Sequence, residues 1–196
     1  MSTALLVIDA QKIYTEKGAD LFCLDSKGTI DRINHLIKKF ERNRLPIIFV
    51  RHIHKSDGSD LGRMFDYLGK FDDFNFKAGT SAVEYDDALY RPENMTEIIK
   101  NRYSAFVGTD LSDRLKRLHV KRVVIVGFMT NCCCDSTARD AHDHDLYVDF
   151  APEATGTPGT ETLNERRIRA IVAELMENAF ARVLTVRQAL DCNYTD

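Results

Sequence analysis

The chain has 196 residues, 44% of them hydrophobic and 29% charged, with a net charge of −3 and a pI near 6.1. That is ordinary globular usage at a length suited to one domain over residues 1–196, large enough to bury a core without disulfide or metal staples. It excludes a fibre, a disordered chain and a basic nucleic-acid binder.

Cys23, Cys132, Cys133, Cys134 and Cys192 are odd in number and three are adjacent. They make a poor disulfide framework, so a reducing compartment is expected. Met1-Ser2-Thr3 lacks a basic leader and Ala4–Ile8 is too short for a secretory core. Apolar runs such as Val123–Met129 fall far below the ~18 residues of a membrane helix. The cytoplasm is the expected location, and no membrane or nucleic-acid partner is expected.

Taken in chain order, Leu5-Leu6-Val7-Ile8 predicts a buried strand that stops at Asp9. Ile30, Ile33, Leu36, Ile37 and Phe40 recur with helical period. Pro46–Val50 predicts a second strand and Glu97–Lys100 a shorter third. Leu111, Leu115 and Leu118 mark a helix, and Val123–Val126 a fourth strand ending at Gly127. Cys133–His144 reads as helix, Leu146–Phe150 as extended, and Leu163–Phe180 as helix. Arg182–Leu184 and Val186–Leu190 close the chain as a strand and a helical turn. Strand–helix alternation implies right-handed crossovers and a parallel α/β sheet covered on both faces. The polar stretch from His54 to Asn94 breaks this rhythm and reads as an excursion over the ligand-binding end.

In such sheets ligands bind at the carboxyl ends of strands. Asp9 stands at one such end, and the turn Gly127–Cys133 at another. A thiol arriving as a helix begins meets backbone N–H groups that favour negative charge, so it is expected to lose its proton more easily. The same groups can hold an oxyanion. Three small buried cysteines filling a strand–helix junction fit the same letters. Asp9 also reads as a turn carboxylate, and Lys100 as a surface lysine at a strand end. Together they supply a nucleophile, an acid/base and a fixed cation, a hydrolytic set.

Three segments carry a resemblance: Leu5–Gln11, then Lys100 with Tyr103-Ser104-Ala105-Phe106-Val107-Gly108-Thr109-Asp110-Leu111, then Gly127–Ala141. In this order, the chain resembles the isochorismatase-like cysteine hydrolases from about Ala4 to Leu190. The resemblance implies a three-layer α/β/α, Rossmann-like domain with a six-stranded parallel sheet. It implies a triad of Cys133, Asp9 and Lys100, with Cys133 chosen because it stands six positions after Gly127. It further implies a cis peptide between Phe128 and Met129, and an oxyanion hole from the N–H groups of Met129 and Cys133. The expected activity is hydrolysis of a C–N bond in a small amide, ureide or carbamoyl compound through a thioester. Isochorismate-type vinyl-ether hydrolysis and a non-catalytic thiol-redox role are the alternatives. Relatives are commonly dimers or tetramers, so a homo-oligomer is expected.

Gln11, two residues beyond Asp9 on an extended segment, is a candidate to orient Asp9 or the substrate; a solvated loop glutamine is the other reading. Ile13, Tyr14 and the excursion are expected to shape the pocket. The metal-binding branch of the superfamily carries a spaced Asp–His–His set after the second strand. Here Arg51-His52-Ile53-His54 lacks it. No metal or cofactor is expected, although a His-x-His pair can bind zinc when a third ligand arrives. His52 and His54 otherwise read as pocket lining or polar surface.

Overall fold

The structure is a computed structural model and describes residues 2–66, 74–93 and 95–195. Six strands form one parallel sheet: β1 (Ser2–Ile8), β2 (Ile47–His52), β3 (Thr96–Lys100), β4 (Val120–Phe128), β5 (Tyr147–Gly156) and β6 (Arg182–Val183), in the order β3-β2-β1-β4-β5-β6. The helices are α1 (Lys12–Thr15), α2 (Ser26–Arg42), α3 (Leu111–Arg117), α4 (Asp135–Asp143), α5 (Glu165–Ala179) and α6 (Val186–Asp191). The order reverses between β1 and β4, which places a topological switch point at their carboxyl ends.

The sheet is apolar on both faces because each face is covered. Along β1, Leu5 and Val7 enter one core with Ile33, Leu36 and Phe40 of α2, together with Val186 and Ala189 of α6. Ala4, Leu6 and Ile8 enter the other, with Leu111 and Leu115 of α3, Ala138 and Ala141 of α4, and Ile168, Val172 and Met176 of α5. Alternation of side chains across a strand therefore meets apolar partners at every position, and the run Leu5–Ile8 carries no polar break. The layers are helix, sheet, helix, as expected. Among the described residues, no helix is long and apolar enough to cross a membrane.

Three boundaries differ from the sequence reading, each for a physical reason. β4 does not stop at Gly127 but runs through it to Phe128. Gly127 takes φ +124°, and a Cβ there would lie 1.9 Å from the Ile8 carbonyl oxygen, so only glycine lets β4 pass β1 here. β5 continues past Pro152 to Gly156. Its ladder with β4 steps from Ile125↔Phe150 to Gly127↔Thr155, and Pro152 falls in that irregular step, the kind of place where a strand tolerates proline. Cys133 does not open a helix. Thr130–Cys134 form one wide turn in which the Cys134 N–H donates to Met129 O at 3.0 Å, and α4 starts only at Asp135.

The described part of the excursion lies against the carboxyl ends of β1 and β2. Gln11 bridges to Tyr85, and His54 to Lys77. Leu61, Phe65, Phe74, Phe76, Val83, Tyr85 and Leu89 join the core on the α2 side. Asn94, which closes the predicted excursion, lies outside the described residues.

Candidate active site

Three strand ends meet at the switch point. Asp9 follows β1 with φ +46°, a conformation tolerated by aspartate better than by branched residues. This turns the chain out of the strand while the Asp9 N–H still donates to Val50 O at 2.9 Å. Lys100 is the last residue of β3, in register with His52 of β2. Cys133 sits in the wide turn after β4. The peptide bond between Phe128 and Met129 is cis.

The structure brings Asp9, Lys100 and Cys133 together. Lys100 Nζ lies 2.8 Å from Asp9 Oδ2 and 3.3 Å from Cys133 Sγ, and it donates to Arg102 O at 3.0 Å. All three residues are at most 2% exposed. A charged lysine with no counter-ion would not persist at that depth, so the ammonium requires a negative partner. Asp9 and Cys133 supply one between them.

Burial sets the electrostatics. It pushes the Asp9 carboxyl above its ordinary value, with Lys100 pulling the other way. It pushes the Cys133 thiol well up as well, because loss of solvent outweighs Lys100 and the Asp9 charge adds to the rise. The expectation of an acidified thiol is thus corrected: removal from water dominates any favourable backbone field. Burial alone would lower the Lys100 pKa, but Asp9 and Cys133 outweigh it, and the group stays cationic. Lys100 thus sits as a fixed cation between two acidic groups, 2.8 Å from Asp9 and 3.3 Å from Cys133. Moving a proton from the sulfur to the carboxylate leaves the net charge unchanged and keeps the negative charge beside Lys100 in either position.

The remaining predicted residues separate. Met129 is partly buried against the α2-side core, and its carbonyl accepts from the N–H groups of Cys132 and Cys134. Tyr14 is buried and stacks on Phe128 with ring centroids 5.3 Å apart. Cys134 is buried and Cys132 half-buried, and all five cysteines are free. Gln11 is not solvated, and its side chain makes no hydrogen bond to Asp9; only its backbone N–H does, to Asp9 O at 2.7 Å. Its Nε2 donates to His52 O (3.0 Å) and Val83 O (2.8 Å), and its Oε1 accepts from the His52 N–H (2.9 Å). It ties β1 to β2 and to the excursion.

His52 and His54, read from the sequence as pocket lining or polar surface, lie inside the fold. Both His52 and His54 are fully buried, and a His52 ring nitrogen, an Asp9 oxygen and Cys133 Sγ lie within 4.8 Å of one another. Nitrogen, carboxylate and thiol form a donor set that a divalent ion could use, but the Lys100 ammonium already supplies positive charge there. The signal available in the sequence was the two-residue period from Val50 to His52, which puts His52 on the side of β2 that faces Ile8. A cavity of about 280 Å³ lined by His54, Asp60, Lys100 and Asn101 opens beside this group. A larger one, about 470 Å³, lies between α2, β5 and α5 and includes none of the triad.

The chain as a whole matches one family. An isochorismatase-domain model matches residues 3–188. The chain belongs to the isochorismatase family. It is 32% identical over 155 residues to nicotinamidase 3 of Arabidopsis thaliana, covering 79% of this chain and 73% of that protein. It is 25% identical over 191 residues to the ureidoacrylate amidohydrolase RutB of Methylorubrum extorquens, covering 87% and 76%. A cysteine hydrolase from Pseudomonas syringae pv. phaseolicola superposes with a TM-score of 0.89 at 26% identity, covering 96% of this chain and 91% of that one. The protein is thus an isochorismatase-like cysteine hydrolase, and its six-stranded parallel sheet is the family fold.

Proposed function

We propose that this isochorismatase-family protein cleaves a C–N bond of a small amide, ureide or carbamoyl compound through a thioester on Cys133. The observation that carries the reading is Lys100 Nζ, placed 2.8 Å from Asp9 and 3.3 Å from Cys133, with all three side chains buried. Asp9 accepts the Cys133 proton, and its raised pKa makes it a stronger base than an exposed carboxylate. Lys100 balances the charge before and after transfer, so the step separates no new charge in a medium of low polarity. The thiolate attacks the carbonyl carbon, and the oxyanion forms against the N–H groups of Met129 and Cys133. Asp9 returns the proton to the departing nitrogen, then deprotonates the water that opens the thioester.

Amide-type substrates are supported by the names of two relatives, a nicotinamidase and a ureidoacrylate amidohydrolase. A redox role for the cysteine trio is disfavoured, since Cys133 and Cys134 are buried and their thiols are pushed up by that burial, whereas redox sensors are exposed and acidic. The test is ammonia release across a panel of small carboxamides, ureides and carbamoyl compounds. Release from at least one class is expected. No release from any, with hydrolysis of isochorismate instead, would move the reading to vinyl-ether chemistry.

A further inference from the structure

Two buried histidines flank the triad and have no part in the proton path above. Their Nε2 atoms are 3.0 Å apart, so one ring donates a proton there and the other accepts. Both are neutral, because burial lowers the pKa of each below the ordinary histidine value. Phe76 stacks on His52 at 4.2 Å and 8°, while Phe65 and Phe74 meet His54 edge-on, so the planes of both rings are fixed.

The donor can be assigned from the other ring nitrogens. His54 Nδ1 lies 3.4 Å from Asp60 Oδ1. Asp60 is held as a carboxylate by the Lys55 N–H at 3.0 Å and Asn101 Nδ2 at 3.1 Å. A lone pair facing a carboxylate is repelled and an N–H is attracted, so His54 carries its proton on Nδ1. Its Nε2 is then the acceptor, and His52 must donate from Nε2. That leaves His52 Nδ1 as a bare acceptor, buried and without a hydrogen-bond partner among the described residues; His54 Nδ1 has no aligned hydrogen bond there either, and what sets it apart is its 3.4 Å approach to the Asp60 carboxylate. A buried acceptor left empty is unfavourable, and one satisfied only by the correct ligand discriminates against analogues that lack the matching donor.

We propose that His52 is a specificity-determining residue whose Nδ1 accepts a hydrogen bond from a substrate N–H, with His54 and Asp60 as positioning residues that fix its tautomer. The site then selects primary amides and ureides over esters of the same shape. This rests on the C–N hydrolase reading above, and it adds which part of the substrate is recognised.

Two measurements test it. In the ¹⁵N–¹H spectrum of histidine-labelled wild-type protein, His52 is expected as the Nε2–H tautomer and His54 as the Nδ1–H tautomer. The reverse assignment would make His52 a donor at Nδ1 and overturn the proposal. Asp60→Asn should allow the two tautomers to exchange; an unchanged spectrum would overturn the positioning role. Zn²⁺ added alone that shifts both pairs of ring nitrogens at one equivalent would make the histidines metal ligands and overturn it as well.

The second measurement compares alkylation of Cys133 by iodoacetamide and by methyl iodoacetate, each normalised to its rate with free N-acetylcysteine. Wild type is expected to favour the amide by roughly 10-fold or more, the size of one unpaired buried group. His52→Phe should lose that preference, and His52→Asn, which returns an acceptor near the Nδ1 position, should recover part of it. Equal ratios in wild type and His52→Phe would refute the role of His52. Absence of ammonia release from every amide would instead refute the hydrolase reading.

Discussion

Replacing Lys100 with methionine removes one charge from a closed site and leaves the side-chain shape nearly intact. The attraction removed is large. At 2.8 Å, with an effective dielectric of ~20, a unit pair interacts by about 6 kcal/mol. Part of this is offset by the cost of keeping an ammonium out of water, and breaking a buried pair typically destabilises by ~3–5 kcal/mol. The loss arises mainly because Asp9, fully buried, is left as an uncompensated anion. Asp9→Asn/Lys100→Met together leave neither charge, so the double variant is expected to be more stable than the sum of the two single losses by at least ~2 kcal/mol. Urea unfolding at pH 7 of wild type, both single variants and the double variant measures this directly. The Lys100→Met loss should also shrink as pH falls. Its Asp9 pKa is raised in the folded state, so the native protein binds the extra proton and stability is present at low pH and lost as pH rises through that value. Cys133 in this variant should become alkylatable only at higher pH than in wild type, and turnover should drop at least ~10²-fold. Additive single losses, within ~0.5 kcal/mol, would refute the electroneutral triad.

Three further outcomes follow from the same geometry. Cys133→Ala should abolish ammonia release with the fold retained by circular dichroism, whereas Cys132→Ala and Cys134→Ala keep much of it; similar losses in all three would mean that the nucleophile is misassigned. Turnover is expected to survive exhaustive dialysis against EDTA, and loss that zinc or iron restores would turn the Asp9–His52–Cys133 group into a metal site. His52 and His54 resist protonation in the folded state, so below about pH 6.5 the unfolded chain takes up protons that the native chain refuses and stability falls with pH. His52→Gln should flatten the dependence of unfolding free energy on pH between 6.5 and 5 by up to ~1.4 kcal/mol per pH unit, and an unchanged slope would contradict a neutral buried His52.

Much of this molecule can be read from local pattern. The run Leu5–Ile8 is continuous because both faces of β1 are covered, Asp9 and Lys100 stand at the carboxyl ends of β1 and β3, and Gly127 stands one residue before the end of β4. Their convergence follows from the parallel order of the sheet. What could not be read depends on neighbours far away in sequence. The thiol's direction of shift turns on how completely Cys133 is removed from water, which a helix-start argument does not measure. Gln11 looks like a free polar side chain until Val83, 72 positions on, accepts its proton. Pro152 looks like a strand end because the irregular step opposite Ile125–Gly127 exists only in the paired ladder. Read from the sequence, His52 and His54 share one side of a strand; in the structure β2 ends at His52, and the excursion that brings Phe76 and Asp60 against the two rings has no periodic signal.

The claim on which the rest depends is that Cys133 carries the acyl group during turnover. Acid quench of the enzyme during steady-state hydrolysis of an active amide or ureide, followed by peptide mapping by mass spectrometry, measures it. The account predicts the acyl mass of the substrate on the peptide containing Cys133, absent from Cys133→Ala, which should release no ammonia. Ammonia release by Cys133→Ala at the wild-type rate would contradict it.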